Sequence, residues 1–347
     1  MAYTTINKST DYFNTKLYTG NGSAGNAQTG VGFQPDFTWI KARAGTQGTQ
    51  SHILNDAVRG AGKFLYSDSS DAESTDTNRL TSFNADGFTV GSNNSTNASS
   101  TTYASWNWKA NGAGSSNTDG SVSSTVSVDT TAGFSIVTWT STGSAHTVGH
   151  GLGSTPAMII MKGRHETNSW MVYHHKNTSA PETDYLELNS SNATADWTTW
   201  NDTAPTNSVF SLGTWSGNDA GGTMVAYCFA EKTGYSKFGS YVGNGSADNA
   251  FIYTGFKPKF FITKRSSDTG NWVLWDSART TSNPMEYFSY PNDSGAEGSG
   301  SYYLDFVSNG IKIRDGNSKW GASGSTYIYM AFGQSLVGSN NVPCTAR

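Results

Sequence analysis

Residues 32–41 read GFQPDFTWIK, and the pattern is written twice more, as GLGSTPAMIIMK over 151–162 and GFKPKFFITK over 255–264. In each copy the second and fourth residues after the proline are apolar (Phe37 and Trp39, Met158 and Ile160, Phe260 and Ile262), while the third ranges from Thr38 to Phe261. A period of two is the mark of a β-strand with one committed face. A lysine closes each copy six residues after its proline, at Lys41, Lys162 and Lys264. Working outward, a second landmark falls 52 residues after each proline, at Gly87 (DGFTV), Ser208 (SVFSL) and Gly310 (GIKI). A third begins 67 or 68 residues after it, at Thr102 (TYASWNW), Thr223 (TMVAYCF) and Thr326 (TYIYMAF). Its even offsets are Ala104, Trp106 and Trp108, then Val225, Tyr227 and Phe229, then Ile328, Met330 and Phe332. Fixed spacing across three copies implies one fold unit written three times, and the 121- and 102-residue intervals between the prolines match whole small domains.

Shorter apolar runs, Phe64–Tyr66, Tyr185–Leu188 and Met285–Tyr290, lie between Gly, Asn, Ser and Asp clusters that end strands. Apolar residues at helical spacing are missing over any three turns. The expectation is an all-β chain of three tandem antiparallel β-sandwich, jelly-roll-like modules: 1–110, 131–232 and 233–333. A Gly/Ser-rich linker at 111–130, whose second half alternates Val122, Val126 and Val128 with Ser and Thr, joins the first two. A polar tail, 334–347, follows the third.

Composition narrows the class. Charged residues make up 14% of the chain and aromatics 13%, with 39 Gly among 347 residues. The 17 Phe, 17 Tyr and 11 Trp supply area for three cores. A net charge of −4 offers no basic stripe, which argues against nucleic acid as a partner. The chain contains no apolar run long enough to span a bilayer, and the N-terminal stretch lacks the apolar centre of a signal peptide. Cys228, inside a strand, and Cys344, in the tail, lie in contexts too different to suggest a disulfide, and synthesis in a reducing compartment follows.

Taken together, MAYTTINKSTDYFNTKLYTGNG, GVGFQPDFTWIK, the DGFTVG turn, TTAGFSIVTWTSTG with TVGHGLGSTP, and the YCFAEKTGYSKFGSYVGNGS junction resemble a family of repeated β-domain proteins. Tailed bacteriophages, marine ones especially, encode that family, which is placed among tail-fibre, tail-appendage and other virion surface proteins. The resemblance runs from Ala2 to about Phe332. It implies a virion location, other virion proteins as partners and a homo-oligomer, a trimer by likeness to phage fibres; it transfers no catalytic or metal-binding motif. The family often ends in an aromatic, basic motif, whereas this chain ends NNVPCTAR.

Five of the six histidines fall between His146 and His175. His174 and His175 are adjacent and as strand residues point to opposite faces, so one ion cannot take both; polar turn and surface histidines are the expectation, with no metal and no cofactor. Asp56 with Arg59 recurs as Asp276 with Arg279, the middle copy having His174 and Asn177 there, and a structural ion pair is expected. Nothing identifies facing carboxylates for glycoside hydrolysis, a nucleophile elbow or a phosphate loop, so no enzyme is expected. Binding has better candidates: Trp215 and Trp320 in equivalent Gly-rich loops, and Trp197 and Trp200 in DWTTWNDTAP beside Asn201 and Asp202. Aromatic rings next to amide and carboxylate groups suit sugar recognition, while indoles capping sandwich ends or lying in a contact between chains are the plainer alternative. The expected function is a virion tail-fibre or appendage adhesin holding host surface polysaccharide by multivalent contacts. The alternatives are a capsid-decoration or tail-lattice protein without a host ligand and, with less support, a polysaccharide depolymerase.

Overall fold

The computed structural model describes residues 3–45, 47–215, 217–300 and 304–337. The fold is all-β and every named strand pairing is antiparallel. Each repeat is a sandwich of one larger and one smaller sheet. In the first, Phe13–Thr19, Thr102–Trp108, Phe37–Ala44, Ile53–Asp56, Lys63–Tyr66 and Ser74–Thr75 lie side by side in that order, with Asn26–Thr29, Gly87–Val90 and Leu80–Asn84 opposite. The third repeats the plan with Ser236–Val242, Thr326–Ser335, Phe256–Arg265, Trp272–Asp276 and Phe288–Ser289 facing Phe251–Tyr253, Gly310–Ile313 and Leu304–Val307. Of the stretch Met285–Tyr290, only Phe288–Ser289 is strand.

The second module departs at the expected linker. Ser115–Asn117 pairs with Ser124–Asp129, which pairs in turn with Phe134–Thr140, so most of residues 111–130 is a hairpin added to the edge of that sheet. The alternation of Val126 and Val128 with Ser and Thr is the reason: Val126 lies in the module's own core, with Val122 and Val128 packed against it. The tail also differs from expectation at its start, since Gln334 and Ser335 complete a strand paired with Lys257 and Phe256. The remainder of the tail from residue 338, including Cys344, lies outside the described residues.

The repeated apolar positions do not form three separate cores. In every copy the third-landmark strand sits beside the proline-lysine strand in the middle of the larger sheet. Its even offsets and the second and fourth residues after the proline all enter one cluster shared by the three modules. Trp108, Phe229 and Phe332, the last even offset of each copy, form a triangle with ring centroids 5.8–6.3 Å apart. The odd offsets point the other way, into private cores: Tyr103 in module one, Met224, Ala226 and Cys228 in module two, Tyr327, Tyr329 and Ala331 in module three. Each middle strand is therefore buried on both faces, the odd offsets forming a core face too.

The modules close into a triangle about that cluster. Equivalent backbone bonds join one to the next: Glu73 N–H to Arg164 O (2.8 Å), Thr194 N–H to Ser266 O (3.0 Å) and Glu297 N–H to Arg43 O (3.1 Å). Trp170 Nε1 donates to Tyr66 O at 2.7 Å and Trp272 Nε1 to Glu187 O at 2.8 Å; His52 occupies the equivalent place at the third corner. Tandem in sequence thus becomes threefold-like in space, within a single chain.

Candidate functional site

The structure separates the expected sugar-stacking residues. Trp200 (1% exposed), Trp215 (7%) and Trp320 (0%) are core residues. Trp320 packs edge-on to Trp275 with centroids 5.4 Å apart, and its Nε1 donates to Asp315 Oδ1 at 2.5 Å. Trp200 packs edge-on to Tyr173 from a single 3-10 turn, Thr198–Trp200. These indoles close the sandwich ends, so they do not serve as open stacking platforms. Asn201 and Asp202 are exposed, both with left-handed backbone (φ 54° and 45°), and shape the turn after Trp200.

Trp197 is different, at 55% exposed, and its Nε1 donates to Thr214 O at 3.3 Å, which fixes the ring. It stands just past a two-stranded end of the large sheet, where Asp184 and Tyr185 pair with Asp196 and Ala195. There it forms one wall of a cleft of about 400 Å³ with Tyr185, Glu187, Met171, Trp215, Glu166 and Asn168. Tyr185 and Glu187 share a sheet face because they are two apart, Leu186 between them pointing into the shared core; Met171 lies across the ladder from Glu187. Trp215 underlies the cleft. A Cβ on Gly217 would come within 2.1 Å of its ring, so only glycine lets the indole lie there. Asn168 Nδ2 donates to Glu166 Oε1 (3.2 Å) and Asn192 Nδ2 to Glu187 Oε2 (2.9 Å). Tyr185, Glu187, Met171, Glu166 and Asn168 were not singled out by the sequence; the alternation in DYLEL was the available signal that Tyr185 and Glu187 share a face, and nothing local ties them to Trp197.

The histidines are mostly spent on backbone, and His52, His146, His150 and His174 are buried, contrary to the surface positions expected, while His165 is exposed and His175 half-buried. His150 Nε2 pairs with Thr206 O (3.3 Å) while Nδ1 accepts from Leu152 N–H; burial pulls it down to about 4. His174 Nε2 pairs with Tyr329 O (3.0 Å) across the module two–three junction, and burial with neighbouring His175 holds it at about 3. His165 alone meets carboxylates, its Nε2 lying 3.5 Å from Asp219 and 3.9 Å from Glu166 beside the cleft. Its ring rests over Gly222, where a Cβ would lie 2.4 Å from Cε1. Among the described residues this is the one grouping able to offer three ligand atoms to an ion.

The repeated Asp-x-x-Arg pairs are structural. Arg59 Nε meets Asp56 Oδ2 at 2.5 Å, its Nη2 donates to Leu54 O and Tyr227 Oη, and its Nη1 to Glu73, which Arg164 of module two also holds at 2.7 Å. Burial raises the Glu73 carboxyl, but Arg164 and Arg59 outweigh it and the group titrates below the usual range. Arg279 repeats the arrangement with Asp276 and Glu297, Arg43 of module one completing it, and Trp106 Nε1 donating to Asp276 at 3.0 Å. The motif lysines are buried, and among the described residues none of them pairs with a carboxylate. Lys41 Nζ donates to carbonyls of Gly48, Gln50 and Ser294, Lys162 to those of Gly163 and Glu166 and to Asn168 Oδ1, and Lys264 to those of Arg265 and Ser191. Burial lowers them to about 8, 8 and 7. Cys228 is a buried core thiol whose ionisation burial pushes far up.

A family model described as a domain of unknown function, DUF7483, matches residues 8–335. The search of curated proteins found no match to the chain.

Proposed function

The chain belongs to the DUF7483 family over all three modules, and from that premise we propose that it is a tailed-phage virion surface protein, on a tail fibre or appendage, that holds glycans of the host surface. The family model carries no function, so the place in the virion rests on the sequence resemblance described above. The Trp197 cleft carries the binding half: an exposed, hydrogen-bond-fixed indole shares a space of about 400 Å³, sized for one or two sugar rings, with the Glu166 and Glu187 carboxylates and the Asn168 amide. Sugar C–H faces pack on the indole while hydroxyls donate to the carboxylates and accept from the amide. A single shallow cleft binds weakly; several copies on one particle bind firmly, which is why assembly as a homo-oligomer, a trimer by resemblance, belongs to the proposal. Catalysis, a cofactor, nucleic acid and membrane insertion have no part in it. The protein is made in the host cytoplasm and carried on the particle.

A lattice or decoration role without a host ligand is the second reading, favoured by the burial of Trp200, Trp215 and Trp320. Binding of the labelled full chain to host cells and to a glycan array, beside Trp197→Ala, decides between them. Attachment lost in the variant supports the proposal; no attachment by the protein, even assembled on the particle, leaves the lattice role. Release of reducing ends from host polysaccharide would show a depolymerase instead.

A further inference from the structure

We infer that the Trp197 cleft discriminates by charge, taking glycans that carry a free amine and rejecting acidic ones. This rests on the glycan-binding proposal and names its substrate class. The carboxyl side chains lining the cleft are Glu166 and Glu187, and no lysine, arginine or histidine is among the described residues that line it. Each accepts one amide hydrogen bond, from Asn168 and Asn192 respectively, and each keeps an oxygen outside those bonds. Carboxylates only accept, so a ligand must bring the donors. A hydroxyl supplies one; an ammonium supplies charge-assisted ones, roughly twice as strong.

Positive charge nearby is already committed elsewhere. Lys162 lies beneath the cleft, buried, with Nζ bonded to the Gly163 and Glu166 carbonyls and to Asn168 Oδ1. Arg164 turns away to pair with Glu73 of the neighbouring module. At the rim Asp219 adds a further negative group, with His165 between it and Glu166. A uronic or sialic acid entering this space would bring a carboxylate beside two others, where the lining Thr167, Asn168, Ser169 and Tyr185 offer neutral donors only, an arrangement that disfavours it by repulsion.

The experiment uses the full chain in EDTA at about pH 6.5. Calorimetric titrations compare a glucosamine tetramer with free amines, its N-acetylated counterpart and a tetragalacturonate. The amine tetramer is expected to bind at least about tenfold more tightly than the N-acetylated one, with the uronate bound more weakly than either. Glu166→Gln and Glu187→Gln together should bring the three ligands within about threefold of one another, whereas Trp197→Ala should weaken all three. The glutamate side chains are only partly buried, and unchanged melting temperatures verify that the variants fold. The charge assignment is overturned if the uronate binds as well as the amine, or if the preference survives the double substitution, while glycan binding itself stands. If none of the three ligands nor any array glycan binds, the attachment proposal falls and the specificity with it.

Discussion

Replacing Trp108 by alanine tests whether the three modules are one folding unit. The indole is 1% exposed, with ring neighbours in every module: Phe13 and Phe37 at 4.8 and 5.2 Å, Phe134 and Phe229 at 6.4 and 6.3 Å, Phe260 and Phe332 at 5.5 and 5.8 Å. Truncating a buried tryptophan costs about 3–5 kcal/mol through lost transfer energy and the cavity left behind. The upper part of that range applies here, because a cavity between three sheets can collapse only if all of them shift. One opposing contribution is identifiable: Nε1 has no acceptor among the described residues, an orphan donor that costs about 1–3 kcal/mol. Trp108→Phe, which keeps a ring and removes that N–H, should therefore cost much less. Urea unfolding followed in parallel by tryptophan fluorescence and far-UV circular dichroism measures both variants. The expected result for Trp108→Ala is one transition, seen identically by both probes and displaced as a whole. Two transitions, with only the first moved and the second at the wild-type midpoint, would show that module one unfolds alone and refute the shared core as the unit of stability.

Lys41, Lys162 and Lys264 ionise at about 8, 8 and 7 in the fold and near 10.4 in an unfolded chain, so the unfolded state binds more protons between those values. Stability should climb from pH 7 towards pH 10, the rise shrinking in Lys264→Met; above about pH 10 buried Tyr18, Tyr227 and Tyr235, held protonated by burial, reverse the trend. Urea midpoints across that range report the slope, and a flat profile would contradict it. Arg279→Ala strands the buried Asp276 carboxylate and weakens the tie to Arg43 through Glu297, and should cost about 3–5 kcal/mol by chemical denaturation. Trp197→Ala should leave the melting temperature near wild type, within about 0.5 kcal/mol, whereas Trp320→Ala should cost about 3–5 kcal/mol, a contrast one calorimetric scan per variant measures.

The triplicated offsets determine much by themselves. Strand identity is a local property, since a two-residue period combined with β-branched and aromatic residues leaves few other conformations. The strands at Phe37–Ala44, Met158–Gly163 and Phe256–Arg265, and their partners at Thr102, Thr223 and Thr326, therefore lie where the pattern puts them. The Asp-x-x-Arg pairs were legible as ion pairs for a similar reason: three residues of chain bring the two groups together around one turn.

What the sequence could not decide is what each apolar face meets. Ala104, Trp106 and Trp108 read as the inside of a module whether the opposing surface is the module's own second sheet or two neighbouring modules, because burial is set by residues a hundred or more positions away. The same holds for the indoles. Trp197 and Trp200, three residues apart in one loop, read alike, yet a single 3-10 turn carries one into the core and leaves the other at the mouth of the cleft. Only the closure of three sandwiches about Trp108, Phe229 and Phe332 fixed which alternating face became common property and which stayed private. The physical reason is that periodicity encodes a residue's side of a strand, while the identity of its neighbour across the core is a long-range property of the folded chain.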